Sequence, residues 1–354
     1  AEGGSTDTFT VVLDSKPIGN VVFALTDNDT DNSEISYSPT TLTFTTGNWN
    51  SAQTVTVTGV DDAVDDGDIS SGITIAINAG STADSIYDTV SSQTVAVTNT
   101  DDDTAGFTIA ETSGTSVSEA GSTDTFTVVL NTEPTGNVVF NVTSGDTGEA
   151  TVSSSTLTFT TGNWNSAQTV TVTGINDDID DGNVNSTTTI AINTGSTADS
   201  AYDSVSSQTV TVTTTDDDTA GFTIVETSGT SVTEAGSTDT FTVVLNTEPT
   251  GDVVFALTDN DTDNSEISYS PTALTFTAGN WNSAQTVTVT GVDDSIDDDN
   301  VTSVITVAIN TGSTADSVYD GLSSQTVNTT TVDDDVTRTV TLTRSPTSVT
   351  EGDS

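Results

Sequence analysis

The stretch from Glu2 to Leu13, EGGSTDTFTVVL, contains the two signals on which the fold of this chain depends. In its second half Phe9, Val11 and Leu13 are apolar, and Thr and Val stand between them. A period of two is typical of a β-strand with one face in a core. The stretch also returns with one substitution, as EAGSTDTFTVVL, at Glu119 and Glu234, and its beginning returns as EGDS at Glu351. The residues therefore predict a β-structure that is repeated along the chain.

The copies are spaced by about 115 residues, which is the size of one domain and too long for a solenoid unit. Further alternating runs follow in each copy with turn residues between them, and no segment has a helical period. About seven short strands per repeat predict tandem antiparallel sandwiches of the immunoglobulin type. If each domain ends at its Asp triplet, the domains are 1–103, 104–218 and 219–335, with 336–354 left over.

The two ends of the chain are complementary in this division. The first domain has no opening strand of its own, whereas 336–354, VTRTVTLTRSPTSVTEGDS, reads as an opening strand without a domain. Two interpretations remain open. The chain is an excerpt of a longer array, or the last strand of one copy completes the first domain of the next by strand addition. In the second case it is the self-complementary subunit of a head-to-tail fibre.

The composition restricts the classes of function. The chain has 53 acidic and three basic residues in 354, a formal charge of -50, and 32% hydrophobic residues. Nucleic acids and anionic membranes need a basic surface, so cations are the expected partners. The absence of Cys, His and Met removes thiolate and imidazole metal sites and serine-triad catalysis. No apolar run is long enough to span a bilayer. We therefore expect no enzyme, no nucleic-acid contact and no direct membrane insertion.

Acidic residues recur in register at three points of each repeat. A lone Glu opens the repeat, an Asp-rich loop follows the strand QTVTVTG at 61–68, 176–183 and 293–300, and an Asp triplet closes it. Two carboxylates 5 Å apart repel by about 3 kcal/mol at an effective dielectric of 20. The loops do not have EF-hand spacing. Groups of hard oxygen ligands favour Ca²⁺ over Mg²⁺, which prefers to keep its waters. The alternative is that these acids are solvated turn residues.

The repeats resemble Calx-beta domains and related repeats of large bacterial surface proteins. The opening Glu, the segment LTFTTGNWNSAQTVTVTGVDD, the acidic loop and the closing DDD carry the resemblance, which extends over all three repeats. It implies Calx-beta-like sandwiches with Ca²⁺ at the C-terminal end of each domain, and it leaves the number of ions per joint open. Asn176 departs from the pattern, because the first repeat has Asp61 there.

The resemblance implies three sets of calcium ligands, one for each repeat. The first set is Glu2, Asp61, Asp62, Asp66, Asp101, Asp102 and Asp103. The second set is Glu119, Asp177, Asp181, Asp216, Asp217 and Asp218. The third set is Glu234, Asp293, Asp294, Asp298, Asp333, Asp334 and Asp335. A looser candidate is the acid of the DTDNSE region: Asp31, Asp146 or Asp263.

Three further features recur. The Trp of GNWN (Trp49, Trp164 and Trp281) and the Tyr of the STADSIYD-like loop (Tyr87, Tyr202 and Tyr319) are interpreted as packing residues rather than sugar or ligand sites. The same loop contains an acid that an extra ion could use: Asp84, Asp199 or Asp316. N-glycosylation sequons stand at Asn28, Asn141, Asn185, Asn260, Asn300 and Asn328, and Ser and Thr offer O-linked positions.

Taken together, these features predict an extracellular structural protein of the cell surface, such as a fibre, filament or adhesin stalk. Its joints would be made rigid by Ca²⁺, and its partners would be further repeats or copies of itself. The alternative from another class is a cell-surface binding module that presents sugar- or protein-binding loops, and differences between repeats would be expected at such loops.

Overall fold

The structure is a computed structural model that describes residues 1–29, 33–261, 265–336, 340, 341, 343 and 352. The predicted all-β, sandwich-like fold is confirmed, because the described chain forms β-strands joined by turns and three short 3-10 helices. Asp31, Asp263, Glu351 and most of 336–354 lie outside the described residues. The short helices are Tyr87–Thr89, Ser200–Ser204 and Tyr319–Gly321.

The first repeat has seven strands in its described residues. In chain order they are β1 (Thr6–Val11), β2 (Val21–Asp27), β3 (Ile35–Ser38), β4 (Thr41–Phe44), β5 (Gln53–Gly59), β6 (Ile69–Ile77) and β7 (Gln93–Asn99). One sheet has the order β1-β5-β3 and the other the order β4-β2-β6-β7. Each alternating run sends its apolar residues into the space between the two sheets, as the period of two requires.

The second repeat has nine strands. They are β8 (Phe107–Glu111), β9 (Thr115–Ser118), β10 (Thr123–Leu130), β11 (Val138–Ser144), β12 (Ala150–Val152), β13 (Thr156–Phe159), β14 (Gln168–Gly174), β15 (Val184–Ile192) and β16 (Gln208–Thr215). Its sheets have the orders β12-β14-β10-β8 and β13-β11-β15-β16-β9.

The third repeat has the same nine-stranded plan in its described residues. Its strands are β17 (Phe222–Glu226), β18 (Thr230–Thr233), β19 (Thr238–Leu245), β20 (Val253–Asp259), β21 (Ile267–Ser270), β22 (Ala273–Phe276), β23 (Gln285–Gly291), β24 (Val301–Ile309) and β25 (Gln325–Val332). Its sheets are β17-β19-β23-β21 and β18-β25-β24-β20-β22, and β18 runs parallel to β25.

The opening segment accounts for the two additional strands of these repeats. Sequence reasoning expects it to supply one strand, but the structure splits it into β8 and β9, and into β17 and β18. The chain turns between them at Ser113 and Gly114, with φ of 73° and 84°. Glycine adopts this left-handed conformation without strain, so the sharp turn is possible there. The first half of the segment then joins one sheet of the sandwich, and the second half joins the other sheet.

The chain divides into two compact units. The first contains Ala1–Ile175 and Asn185–Thr214, and the second contains Asn176–Val184 and Thr215–Ser354. The acidic loop that follows β14 is therefore part of the second unit, together with the third repeat.

Each repeat has its own apolar core. In the second repeat Phe140 contacts Phe107 and Phe159 edge-to-face, with ring centroids 4.8 and 5.9 Å away. The Trp residues are confirmed as packing residues, because Trp49, Trp164 and Trp281 all lie against the core of their own repeat. The hydroxyl groups of Tyr202 and Tyr319 are hydrogen-bonded in the interior. Such aromatic area compensates for a low apolar content.

The opening strand also determines how deeply the Phe of the strand that contains TDTFTV is buried. Phe126 on β10 is 1% exposed and pairs across to β8, whereas Phe9 on β1 is half-buried. We expect Phe126→Ala to destabilise the second repeat by about 3–5 kcal/mol and Phe9→Ala to destabilise the first by clearly less. Hydrogen exchange followed by mass spectrometry reads each repeat separately. Equal losses at the two positions would contradict this account of the core.

Candidate metal centre

The acidic segments of the first repeat meet because of the strand register. Thr6 at the start of β1 lies opposite Thr58 near the end of β5, so the residues before β1 lie beside the loop after β5. Ile69 at the start of β6 pairs with Asn99 at the end of β7, which brings the same loop beside the triplet. The backbone N–H of Glu2 donates to the carbonyl of Thr100 at 3.0 Å. Three segments distant in sequence therefore converge at one end of the sandwich.

A glycine makes this convergence possible. A Cβ at Gly59, the last residue of β5, would collide with the carbonyl oxygen of Ala1 and the side chain of Asn99. Gly174 and Gly291 hold the same position against Ser118 and Thr233. The final G of QTVTVTG thus lets the chain that carries the opening Glu pass directly over the strand.

Glu2 is the most buried acid of the first cluster. It is 1% exposed, and single carboxylate oxygens of Glu2, Asp102 and Asp103 all lie within 4.8 Å of one another. Asn99 Nδ2 donates to Glu2 Oε1 at 3.4 Å, but Glu2 Oε2 is buried without a hydrogen-bond partner. Buried polar atoms in folded proteins almost always have a partner, and a bound cation would supply one to this oxygen. These residues therefore fit an oxygen-liganded cation.

Burial and the negative charge of the cluster raise the pKa values of several of its carboxyl groups. Burial first, and then the charges of Asp62, Asp101, Asp66 and Glu34, raise the pKa of Glu2 from 4.5 to about 7. Burial first and neighbouring carboxylates second likewise raise the pKa of Asp66 and of Asp103. Without a positive charge, the folded protein disfavours the ionised forms of these three groups.

The first Asp of each triplet orders the acidic loop. Asp101 Oδ2 accepts from the N–H of Gly67 at 2.7 Å, and Asp101 Oδ1 accepts from the N–H of Asp103 at 2.8 Å. Asp216 accepts in the same way from Gly182 and Asp218, and Asp333 from Asp299 and Asp335. These bonds fix the position of the triplet and the loop relative to each other. In the first repeat, the carboxylates of Asp102 and Asp103 are the triplet members that join the cluster.

The third cluster is also built on a buried opening Glu, but it contains the first and last Asp of its triplet, where the first cluster contains the second and last. Glu234 is 2% exposed, and oxygens of Glu234, Asp333 and Asp335 lie within 4.8 Å of one another. Glu234 Oε2 and Asp335 Oδ2 are buried without hydrogen-bond partners. Burial first, and then Asp333 and Asp294, raise the pKa of Glu234, while a backbone hydrogen bond from Asp334 opposes the rise. The pKa of Asp335 is raised by the same kinds of effect.

The second set of predicted ligands divides between the two units. In the second unit, burial and the charges of neighbouring Asp residues raise the pKa of Asp181 and of Asp218. Asp217, like Asp102 and Asp334, is exposed. Glu119 belongs to the first unit, is 1% exposed, and follows Ser118 at the crossing over Gly174, the setting that Glu2 has in its own repeat.

The acidic loops also hold the repeat that follows them. In the first unit Asp65 Oδ2 accepts from the N–H of Ala105 at 2.7 Å, and the carbonyl of Ala63 accepts from the N–H of Glu133 at 2.7 Å. In the second unit Asp180 Oδ2 accepts from Ala220 at 2.7 Å, and the carbonyl of Asp178 accepts from Glu248 at 2.6 Å. One loop thus contributes both to the carboxylate cluster and to the joint.

Some of the predicted ligands are exposed and influence the other acids of the clusters through their charge. Asp61 and Asp293 are exposed and act on the pKa of Asp103 and of Asp335 through their charge. Asp62 and Asp66 act on Glu2 in the same way, and Asp294 acts on Glu234. Asp298 is exposed on its loop. Of the looser candidates, Asp146 accepts the N–H of Gly148 at 3.0 Å within its own turn.

Sequence reasoning missed a second buried glutamate in each repeat. Glu34, Glu149 and Glu266 are 9%, 7% and 7% exposed and stand just before β3, β12 and β21. The Asn99 amide links the first cluster to this residue, with Nδ2 3.5 Å from Glu34 Oε2. The signal was present, because this glutamate recurs in register in all three repeats.

The acids of the STADSIYD-like loops have a structural role instead. Asp84 Oδ2 accepts from Ile18 at 2.8 Å, and Asp84 Oδ1 accepts from Ile86 at 3.0 Å. Asp199 and Asp316 bind the equivalent backbone N–H groups in their own repeats. Both oxygens of each carboxylate are thus used to close a loop.

Comparisons with known proteins give weak likenesses only. No protein-family model matches the chain, and no curated protein matches it. Domains 4–9 of the surface layer protein SbsC match 91% of this chain and 40% of theirs, at 18% identity and a TM-score of 0.25. The calcium binding domain CBD12 of CALX1.1 matches 55% of this chain and 77% of its own length, at 17% identity and a TM-score of 0.25.

A xyloglucanase of family GH5 from Bacteroides ovatus matches 32% of this chain and 19% of its own, at 13% identity and a TM-score of 0.22. The chain therefore spans less than half the length of the xyloglucanase and of the surface-layer structure. Among the described residues, none of the helices has the length and hydropathy of a membrane span.

Proposed function

We propose that this chain is an extracellular structural repeat protein whose domain joints are made rigid by Ca²⁺. The observation that carries the proposal is the buried carboxylate oxygen of Glu2, which has no hydrogen-bond partner and lies among further carboxylates. The same arrangement recurs at Glu234. The domain boundaries after Asp103, Asp218 and Asp335 are part of the proposal.

A cation is required because the chain offers almost no positive charge of its own. Lys16 is the one cationic side chain among the described residues, and it is exposed. Burying one carboxylate beside others without a counter-charge is unfavourable by several kcal/mol. The donor set consists of carboxylate oxygens, which suits Ca²⁺ better than Mg²⁺. Glu2, Asp102 and Asp103 would hold the ion in the first repeat, with Glu234, Asp333 and Asp335 in the third.

A bound ion would stiffen the joint because the loop and the triplet are shared between neighbouring repeats. The loop at 61–68 contacts the next repeat through Ala63 and Asp65, and the triplet leads directly into β8. The ion would supply the attraction that keeps the loop and the triplet together. Extracellular modules bind Ca²⁺ at about 10⁻⁴–10⁻³ M, so such joints would form outside the cell and loosen where calcium is scarce.

We expect millimolar Ca²⁺ to raise the unfolding temperature of the chain by roughly 5–10 °C relative to EDTA, with little effect of Mg²⁺. Glu234→Gln should abolish the stabilisation of the third repeat while stabilising the calcium-free protein slightly, because it removes a disfavoured charge. Asp252→Asn is the matched control. It makes the same acid-to-amide change at an exposed position where the other repeats have Asn20 and Asn137. The absence of a calcium-specific rise would sink the proposal.

The calcium-free protein should also lose stability as the pH rises. The pKa of Glu2 is about 7 in the folded protein and 4.5 ordinarily, so the folded state binds the proton more tightly. The contribution of Glu2 to the free energy of unfolding is therefore fully present below pH 4.5 and is lost as the pH rises through 7. In EDTA, melting at pH 8 should come a few degrees below melting at pH 5, and Glu2→Gln should flatten this slope. A stability that increased over this range would contradict the assigned burial of Glu2.

A finer part of the proposal is polymerisation by strand addition to the first repeat. In the second repeat, β8 pairs with β10 and places Phe107 opposite Leu130. Among the described residues of the first repeat, β1 pairs with β5 alone. The side-chain amide of Gln208 donates to the Phe107 carbonyl of this opening strand at 2.8 Å, and Gln325 donates to the Phe222 carbonyl in the same way at 2.7 Å. An edge of this kind accepts an extended segment.

The donor would be 336–354 of another copy, which follows the triplet as β8 follows Asp103. We expect the 354-residue chain to form filaments visible by electron microscopy, and deletion of 336–354 to prevent them. A synthetic peptide of 336–354, added in excess, should protect the backbone of β1 from hydrogen exchange. Filaments that formed equally well after the deletion would exclude this donor.

A further inference from the structure

One turn of the first repeat differs in chemistry from its counterparts. The turn after β1 contains Lys16 and Ile18, and the second and third repeats have Glu and Thr at these positions. Ile18 is 80% exposed, and Ile86 is 69% exposed. The two isoleucines are neighbours, because the carboxylate of Asp84 accepts the backbone N–H of both. Exposed apolar side chains at a turn that also contains a lysine are candidates for a contact with another protein surface.

The counterparts of this turn are occupied inside the chain. In the first unit the N–H of Glu133 donates to the carbonyl of Ala63 in the acidic loop of the preceding repeat, at 2.7 Å. In the second unit the N–H of Glu248 donates to the carbonyl of Asp178 at 2.6 Å. Glu133 and Glu248 are half-buried, and Lys16 is exposed. The turn is therefore a receiving surface for an acidic loop wherever such a loop precedes it.

The third acidic loop has an exposed apolar residue and a negative charge, which complement the exposed isoleucines and the lysine of this turn. Ile296 at its centre is 61% exposed, whereas the equivalent Val64 and Ile179 are half-buried. In each loop this apolar residue directly follows the residue whose carbonyl is used at a joint, Ala63 in the first and Asp178 in the second. Ser295 holds that position in the third loop. The third loop also contains five Asp residues, so its charge is opposite to that of Lys16.

We propose that the turn of Lys16, Ile18 and Ile86 binds the acidic loop 293–300 of a second copy of this chain. The N–H of Lys16 would donate to the Ser295 carbonyl, as Glu133 does to Ala63. Its ammonium group would meet the aspartates of the loop, and the two isoleucines would cover Ile296. This inference rests on the proposed function, since it adds a joint between copies to the joints within one chain.

The sequence difference at this turn would distinguish the contact between copies from the joints within one chain. Internal joints place a Glu against the acidic loop and are formed within one chain, where the effective concentration is high. A contact between separate molecules has no such advantage, and a lysine with two isoleucines supplies attraction instead. The two surfaces are different, so the contact is head-to-tail and extends in one direction.

The test is sedimentation velocity of the full chain in saturating Ca²⁺ over a range of protein concentrations. Lys16→Glu with Ile18→Thr gives the turn the residues of the other repeats, so the fold is retained. We expect its self-association to weaken by at least about tenfold. Thr240→Glu with Val225→Thr, at exposed positions of the third repeat, is the control and should associate like the unchanged chain.

Two further variants identify the partner surface. Ile296→Ser should weaken association from the loop side, and Ser295→Lys should partly restore it in the Lys16→Glu background, as expected for residues in direct contact. Association should also fall as salt is raised. A chain that stays monomeric, or one that associates equally after Lys16→Glu with Ile18→Thr, would overturn the inference. The calcium-dependent rise in unfolding temperature, measured on the same samples, reports separately on the proposed function.

Discussion

The structure depends on the burial of a carboxylate among other carboxylates. Glu2 and Glu234 are almost completely enclosed, and the residues that enclose them include the Asp triplets and acidic loops. In water such groups would separate, because each would be better solvated alone. The strand register and the glycine at the end of β5 and β23 prevent this by bringing the segments together. The cation that we propose would resolve the conflict, and every element that converges there would then be attached to it.

This arrangement suits a chain with little apolar material. Hydrophobic residues make up 32% of the sequence, and each sandwich has one thin core between its two sheets. An all-apolar joint would need further hydrophobic surface, which so small a core cannot spare. The proposed electrostatic joints would use acids that the surface already carries, and the cation concentration in solution would then control their stiffness. The hydrogen bonds of Asp65 and Asp180 then align the next repeat at little cost in area.

Much of the fold and of the acidic clusters could be predicted from the sequence, because both depend on patterns among residues that are close together in the chain. The period of two predicts the strands, and the acids of the opening Glu, loop and triplet recur at fixed offsets. The second glutamate, Glu34, escaped prediction because its burial depends on the pairing of Ile35 with Gly59, a contact between residues far apart in sequence. The division of the opening segment into two strands was missed for a related reason. Ser113 and Gly114 do not show locally that their flanks join opposite sheets.

The three acidic loops also differ in the hydrogen bond that attaches each loop to its Asp triplet. The difference depends on which residue donates the backbone N–H. The N–H that reaches the first Asp of the triplet comes from Gly67 and Gly182 in the first two loops, at 2.7 Å, and from Asp299 in the third, at 3.1 Å. Asp299 has a φ of 65°, a left-handed conformation that costs a side chain about 1 kcal/mol or more where glycine adopts it freely. The third loop is therefore the one whose geometry is least secured by its own repeat. It is also the loop whose apolar residue is exposed, so a contact from outside would complete its ordering.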